Sequence, residues 1–279
     1  MRARTASCWC VLAALSADTA LAQSVTPADT QFADFAFASE LGSGVYSIDG
    51  QTITVYTVPF RYTLRPAAPR GGRPGIRLLL PVTFGFFNFH TSDLAHFDLP
   101  SSIGALSFEP GVQLDYWLND AWHLYPYVKA GATWASSSAI NALIYGTGIR
   151  SDYRFDAFSS ACLWRAELMY AGVHYHGDLP NDSFTRLRNG LELRRNLPSW
   201  SYRGRALQLG PYAVADIYFN APEGPASGIS ADTLQFETGV MLDIVPGWHV
   251  FGLPLPRLGV GYRFAGVLSG WRLVLGDPF

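Results

Sequence analysis

Residues 105–120 read ALSFEPGVQLDYWLND. Leu106, Phe108, Pro110, Val112, Leu114, Tyr116 and Leu118 hold the even positions, with Ser107, Glu109, Gly111, Gln113 and Asp115 at the odd ones between them. Period 2 places the two sets on opposite faces of a β-strand. An apolar face of that length must lie against either a protein core or lipid.

The pattern recurs. In 75–86 Ile76, Leu78, Leu80, Val82, Phe84 and Phe86 oppose Arg77 and Thr83; in 122–134 the even residues from Trp122 to Trp134 oppose His123, Tyr125, Tyr127, Lys129 and Thr133. The odd residues of 207–217 oppose Gln208, Gly210, Tyr212 and Asp216. Leu234, Phe236, Val240, Leu242 and Ile244 oppose Gln235, Glu237 and Asp243. Segments 52–65, 143–155, 162–173, 185–194 and 257–265 alternate less cleanly, and Trp271, Leu273 and Leu275 oppose Arg272. A first strand at 43–48 precedes Asp49-Gly50, a natural hairpin turn. That makes twelve strands.

Composition decides what the apolar faces meet. The chain of 279 residues is 49% hydrophobic and only 15% charged. Past the leader, no stretch supplies the roughly 18 consecutive apolar residues of a helical span, so the apolar content is dispersed, as in a β protein facing lipid. A β-sandwich also alternates, but its solvent face is dense in Lys, Glu, Thr and Ser. Here the polar face is rich in Gly, Arg, Tyr, Gln and acids, and Lys129 is the chain's single lysine. Trp122 and Trp134 share a face about 40 Å apart along the strand at ~3.3 Å per residue. Strand tilt projects this to ~30 Å, the spacing of aromatic girdles flanking an apolar band of ~25 Å; Trp271 joins them. The expected fold is all-β: a closed antiparallel transmembrane barrel of about twelve strands, since closure leaves no unpaired edge in lipid.

Residues 1–22 read as a signal peptide, with Arg2 and Arg4, an apolar core from Trp9 to Leu15 and Ala20-Leu21-Ala22 at its end. Its removal takes Cys8 and Cys10 and leaves Cys162 alone, so no internal disulfide is expected, and no zinc spacing is present. The export signal and the lipid-facing surface exclude nucleic-acid binding and cytosolic chemistry.

The stretches SELGSGVYSIDGQTITVYTVPFRYTLR (39–65) and GYRFAGVLSGWRLVLGDPF (261–279) resemble the solitary outer-membrane autotransporter-like β-barrel family. The resemblance covers roughly 32–279. It implies a twelve-stranded autotransporter-type barrel without its exported passenger, porin-like in a Gram-negative outer membrane, and it carries no catalytic motif. The terminal Phe279 resembles the signature by which bacterial barrels meet their assembly machinery, here on a terminal strand that ends in phenylalanine. The expected surroundings are outer-membrane lipids and lipopolysaccharide, with the barrel a monomer and no cofactor or metal.

With both ends of the barrel on the periplasmic side, segments 90–103, 136–142, 177–183, 219–232 and 266–270 would be external. They hold Asp93, Asp98, Asp178, Asp182, Glu223 and Asp232 but no Lys or Arg, whereas the opposite connections carry Arg70, Arg73, Arg195, Arg203 and Arg205. Carboxylates suit hard cations at a lipopolysaccharide surface, although plain solubility accounts for them more simply. The connections around 66–74, 195–205 and 245–256 are long for periplasmic turns.

Parity turns thirteen cations inward: Arg61, Arg65, Arg77, Lys129, Arg150, Arg154, Arg165, Arg186, Arg188, Arg194, Arg257, Arg263 and Arg272. Eight acids join them: Glu109, Asp115, Asp152, Glu167, Glu192, Asp216, Glu237 and Asp243, leaving an excess of five positive charges. Charges away from water must be paired or solvated. The lumen is therefore either a narrow anion-preferring pore or a salt-bridged plug, the second being the plainer reading.

Residues 23–41 precede the barrel of 42–279. Thr26 can cap a helix, Pro27 suits its first position and Asp29 completes a capping-box-like pair. Phe32, Phe35 and Ala36 follow at helical spacing, Gly42 can end it, and the charges are Asp29, Asp34 and Glu40. An acidic helix in a basic lumen resembles the pore helix of autotransporter translocators. The segment reads equally as an extension of strand 1, because Phe35, Phe37 and Leu41 also alternate.

One enzymatic reading competes with a non-enzymatic barrel. His90-Thr91-Ser92 superficially resembles the His-x-Ser pattern of lipid A deacylases, and a histidine at the outer rim could activate a nearby serine. The asparagine that follows in that family is Asp93 here, and the barrel is larger. His174 and His176 share a face without a third metal ligand at recognisable spacing.

Overall fold

The structure is a computed structural model that describes residues 35–36, 39, 42–48, 51–68, 72–87, 104–135, 141–176, 181–202, 204–220, 233–245, 249–250, 253–254, 257–264 and 270–279. The signal-peptide reading of 1–22 and most of the long loops fall outside them.

The chain forms an antiparallel meander: β1 (Gly44–Ile48), β2 (Gln51–Arg65), β3 (Gly75–Phe87), β4 (Ala105–Phe108), β5 (Gly111–Trp117), β6 (Trp122–Ala135), β7 (Asn141–Ala157), β8 (Ser160–His176), β9 (Asp182–Tyr202), β10 (Arg205–Asn220), β11 (Leu234–Val245), β12 (His249–Val250), β13 (Leu253–Pro254), β14 (Leu258–Phe264) and β15 (Gly270–Leu275). Successive strands pair in chain order, with β11 pairing β14 past β12 and β13, which form a separate two-stranded hairpin. The sheet curls until β15 lies beside β1.

β4 and β5 occupy a single position between β3 and β6, so the strands take twelve positions around the sheet. The stretch 105–117 is thus one strand with an interruption. Its pairing with β3 keeps the same register on both sides of the break, Val82 opposite Phe108 and Leu79 opposite Gly111. What is lost is ladder bonding at Pro110, which has no N–H to give. Ala130 N–H still donates to the Pro110 carbonyl at 3.0 Å, and the chain crosses Gly131 so closely that a Cβ there would run into the Phe108 carbonyl.

The apolar face points away from the lumen along every long strand. Trp122, Val128 and Trp134 on β6, Trp164, Leu168 and Tyr170 on β8, Phe236, Val240 and Leu242 on β11, and Trp271 and Leu273 on β15 are all exposed large hydrophobics. Their sequence neighbours His123, Thr133, Arg165, Gln235, Glu237 and Arg272 are buried. This is an inside-out distribution, with charge at the centre and hydrocarbon outside.

Several hairpins run further than the alternation foretold. β7 and β8 meet in a two-residue turn at Phe158 and Ser159, whose φ values of 52° and 56° are those of a type I′ turn made without glycine. The connection expected over 195–205 is also a hairpin: β9 continues to Tyr202, opposite Arg205, past a register shift between Ala206 and Leu207. That irregularity breaks the period-2 signal there. The hairpin turns from β5 to β6, β7 to β8 and β9 to β10 lie at one end of the sheet, the turn end. The long connections from β3 to β4 and from β10 to β11 lie at the other, the loop end, together with the tight connection of β1 to β2.

Candidate functional site in the lumen

The inner face has an apolar zone and a charged one. Near the loop end Ile53 and Val55 of β2, Ala105 of β4, Ala142 and Ile144 of β7, Met169, Ala171, Val173 and Tyr175 of β8, Phe184 of β9 and Tyr218 of β10 form one buried cluster. Phe35 and Ala36 complete it from within, helical and fully buried. The Phe35 ring lies on Gly85, whose missing side chain makes the room. Ser39 Oγ–H donates to the Ala36 carbonyl at 2.8 Å within the same turn.

Towards the turn end, charges replace hydrocarbon. Tyr125, Arg150, Glu167, Arg188, Asp216 and Gln235 are successive cross-strand partners from β6 to β11, so opposite charges alternate along one hydrogen-bond row. Arg188 donates from Nε and Nη2 to the two oxygens of Asp216 at 2.7 and 2.9 Å, a bidentate pair. Arg186 Nη2 donates to Glu167 at 3.2 Å, and the Tyr127 hydroxyl donates to the same carboxylate at 3.0 Å.

A neighbouring row carries His123, Asp152 and Arg165, with Arg165 forking onto Asp152 at 2.6 and 2.8 Å. Glu237 is a hub: Arg272 Nη1 donates to both of its oxygens at 3.0 Å, Arg263 Nη2 at 3.1 Å and the Tyr212 hydroxyl at 2.8 Å. Lys129 holds Glu109 at 2.6 Å, Arg77 holds Asp115 at 2.7 Å, Arg194 and Arg257 share Glu192, and Arg257 also approaches Asp243 at 3.4 Å. Arg61 and Arg154 have the same inward parity but stay exposed.

Two expectations are corrected at the turn end. The terminal strand does not end in phenylalanine: β15 stops at Leu275, and Gly276, at φ +96°, turns the tail inward. The Phe279 ring seats on Gly190, with the Arg165 guanidinium 5.3 Å from its centroid and Tyr212 edge-on at 6.3 Å. Arg165 donates to the Phe279 carbonyl, and Arg272 to that of Pro278 at 3.0 Å. Asp277 is the ninth lumenal acid, missed because GDPF reads as the end of a strand. It stands 3.5–3.9 Å from Arg165, Arg257 and Arg194. Burial works against its charge, but Arg165, Arg61, Arg194 and Arg150 outweigh it and hold the carboxyl at about 2. The excess of lumenal cations falls to four.

His90 and Ser92 lie outside the described residues. His174 and His176 point outward near the loop end, exposed, with rings edge-to-face at 6.1 Å. No group of three or more His, Cys, Asp or Glu suited to a metal occurs among the described residues. Trp122, Trp134 and Trp271 are all outward, and Trp122 Nε1 donates to Ser151 at 2.7 Å.

Twelve antiparallel positions, an apolar outer wall and a short helical turn in the lumen are the features of an autotransporter-type β-barrel. Comparison with solved structures returns that fold: the beta domain of the Bordetella autotransporter BrkA superposes with a TM-score of 0.54, over 82% of this chain and 92% of that one, at 15% identity. No family model matches the sequence, and no curated protein does either.

Proposed function

We propose that this chain is an outer-membrane β-barrel of a Gram-negative bacterium, non-enzymatic, with a lumen obstructed by its own N-terminal segment and by its salt-bridged wall. It acts as a structural surface protein, or at most as a narrow, anion-preferring pore. The observation that carries the reading is the inversion of faces: exposed Trp, Leu, Phe and Val outside, and ion pairs inside. Lipid and lipopolysaccharide cover the outer wall, the assembly machinery engages the β15 strand, and the barrel is a monomer. Cell fractionation tests this. The mature chain, beginning at Gln23, is expected in the outer membrane, β-rich by circular dichroism and shifted in electrophoretic mobility on heating. Recovery as a soluble periplasmic protein ends the proposal.

The non-enzymatic part has its own test. His90→Ala is expected to leave the lipid A and phospholipid profiles of expressing cells unchanged. A deacylated species that disappears in the mutant makes the protein a lipid hydrolase instead.

A further inference from the structure

β1 covers only the upper part of its neighbour. Its pairing with β2 runs from Ile48 opposite Gln51 to Gly44 opposite Val55 and stops there. One step further, the Ser43 hydroxyl accepts from Thr57 N–H at 2.8 Å, standing in for a strand partner. Beyond Thr57, no described residue pairs with that side of β2. Because Thr57 N–H points to the β1 side, strand alternation sends the backbone groups of Arg61 and Thr63 the same way. Pro59, which lacks an N–H, falls on this side too, where prolines of edge strands are found.

The inner face of β2 registers the gap: Arg61, Thr63 and Arg65 are exposed, whereas inward residues of β8 and β9 are mostly buried. Outward Phe60, Tyr62 and Leu64 are exposed like the rest of the apolar wall. In a lipid-facing wall an unpaired strand edge is costly.

The chain leading into β1 fits that edge. Continuing the β1 register downward sets Phe35 opposite Leu64, Ala36 opposite Thr63 and Ser39 opposite Phe60. Phe35, Phe37 and Leu41 then share the outward parity of Leu64, Tyr62 and Val58, while Asp34 and Glu40 take the inward parity of Arg61 and Arg65. At the junction sits Gly42, at φ +95°, a backbone that an extended strand does not use and that L side chains rarely adopt.

We propose that the Pro59–Arg65 edge of β2 is a strand-acceptor site and that its occupant is the chain's own segment 34–42. The segment exchanges its lumenal helical turn for an extension of β1, with Gly42 as the hinge. The exchange empties the loop-end half of the lumen and completes the wall at the same time. It rests on the wall facing lipid, which fractionation tests independently.

The test is oxidative cross-linking of full-length protein refolded into lipid vesicles, in a Cys162→Ser background. Ala36→Cys with Thr63→Cys places two thiols opposite one another only in the extended state, at strand-pair distances that a disulfide spans. The pair is expected to form an intramolecular disulfide that trypsin mapping detects. Gly42→Ala penalises φ +95° but not the strand, and a Cβ there meets only ordinary contact with Arg272; it is expected to raise the cross-linked fraction several-fold. No cross-link with or without Gly42→Ala, in protein that is correctly inserted, overturns the proposal. So does a disulfide formed only between two copies, which makes the edge an interface between barrels.

Discussion

Deleting residues 23–40 is expected to open the protein. The deletion removes Phe35 and Ala36, the inner pieces of the apolar cluster, together with Asp29, Asp34 and Glu40. Water then enters a lumen whose wall carries about four more cations than acids, since charges facing water need no partner but still set selectivity. Single-channel conductance in planar bilayers is expected to rise several-fold over the full chain and to become anion-selective. That selectivity should fade as salt shortens the screening length towards ~3 Å at 1 M. Loss of the Phe35 contacts alone removes about 3 kcal/mol of packing, so the truncated form should also lose its heat-resistant mobility at a lower temperature. Unchanged conductance and unchanged heat resistance together would remove the segment from any account of a plug.

Asp216→Ala is the substitution expected to damage the barrel most. Asp216 is almost fully buried and takes both nitrogens of the Arg188 fork, with Arg263 at 3.5 Å and Arg186 at 3.9 Å. Removing the carboxylate strands guanidinium charge where water cannot follow, a loss of about 3–5 kcal/mol for a broken buried pair. Asp243→Ala is the internal control. Its carboxylate is partly exposed and meets Arg257 at 3.4 Å, a setting worth about 1 kcal/mol or less. Urea unfolding in lipid vesicles should separate the two by most of that difference. Equal midpoints would show that water reaches Asp216 and that the network is solvated.

The alternation of β3, β5, β6, β10 and β11 was legible from sequence because their outer faces are apolar nearly throughout the span, while their inner faces are broken by polar residues or glycine such as Arg77, Gln113, Tyr127, Asp216 and Glu237. The untidy segments 52–65, 143–155, 162–173 and 185–194 carry information of another kind. Ile53, Val55, Ile144, Met169 and Val173 break the pattern because they face inward into the buried cluster that includes Phe35, not because the strand is irregular. An apolar residue on the polar parity is the mark that something apolar occupies the lumen. Arg188, Glu237 and Asp152 lie buried on the face that their parity assigns them, since a side chain's face depends only on its count along the strand. Parity could not say which acid meets which base, because that depends on register between strands distant in sequence. Nor could it find Asp277 and Phe279, because the turn at Gly276 leaves the periodic part of the chain after only six residues of β15.

The alternating row from Arg150 to Asp216 bears on how the wall finds its alignment. A slip of one residue turns apolar side chains inward and is rejected by the bilayer. A slip of two keeps every face correct, and lipid is blind to it. Charge is not. Moving β8 by two residues against β7 sets Arg150 opposite Arg165 in one direction and Asp152 opposite Glu167 in the other, both like pairs away from bulk water. Moving β9 against β8 sets Arg165 opposite Arg188. The lumenal charges thus proofread alignment modulo two, a discrimination the hydrophobic pattern cannot make. Between β7 and β8 they act beside the two-residue turn at Phe158 and Ser159, which favours the same register. Between β8 and β9, where the connection is longer, they act without so tight a turn.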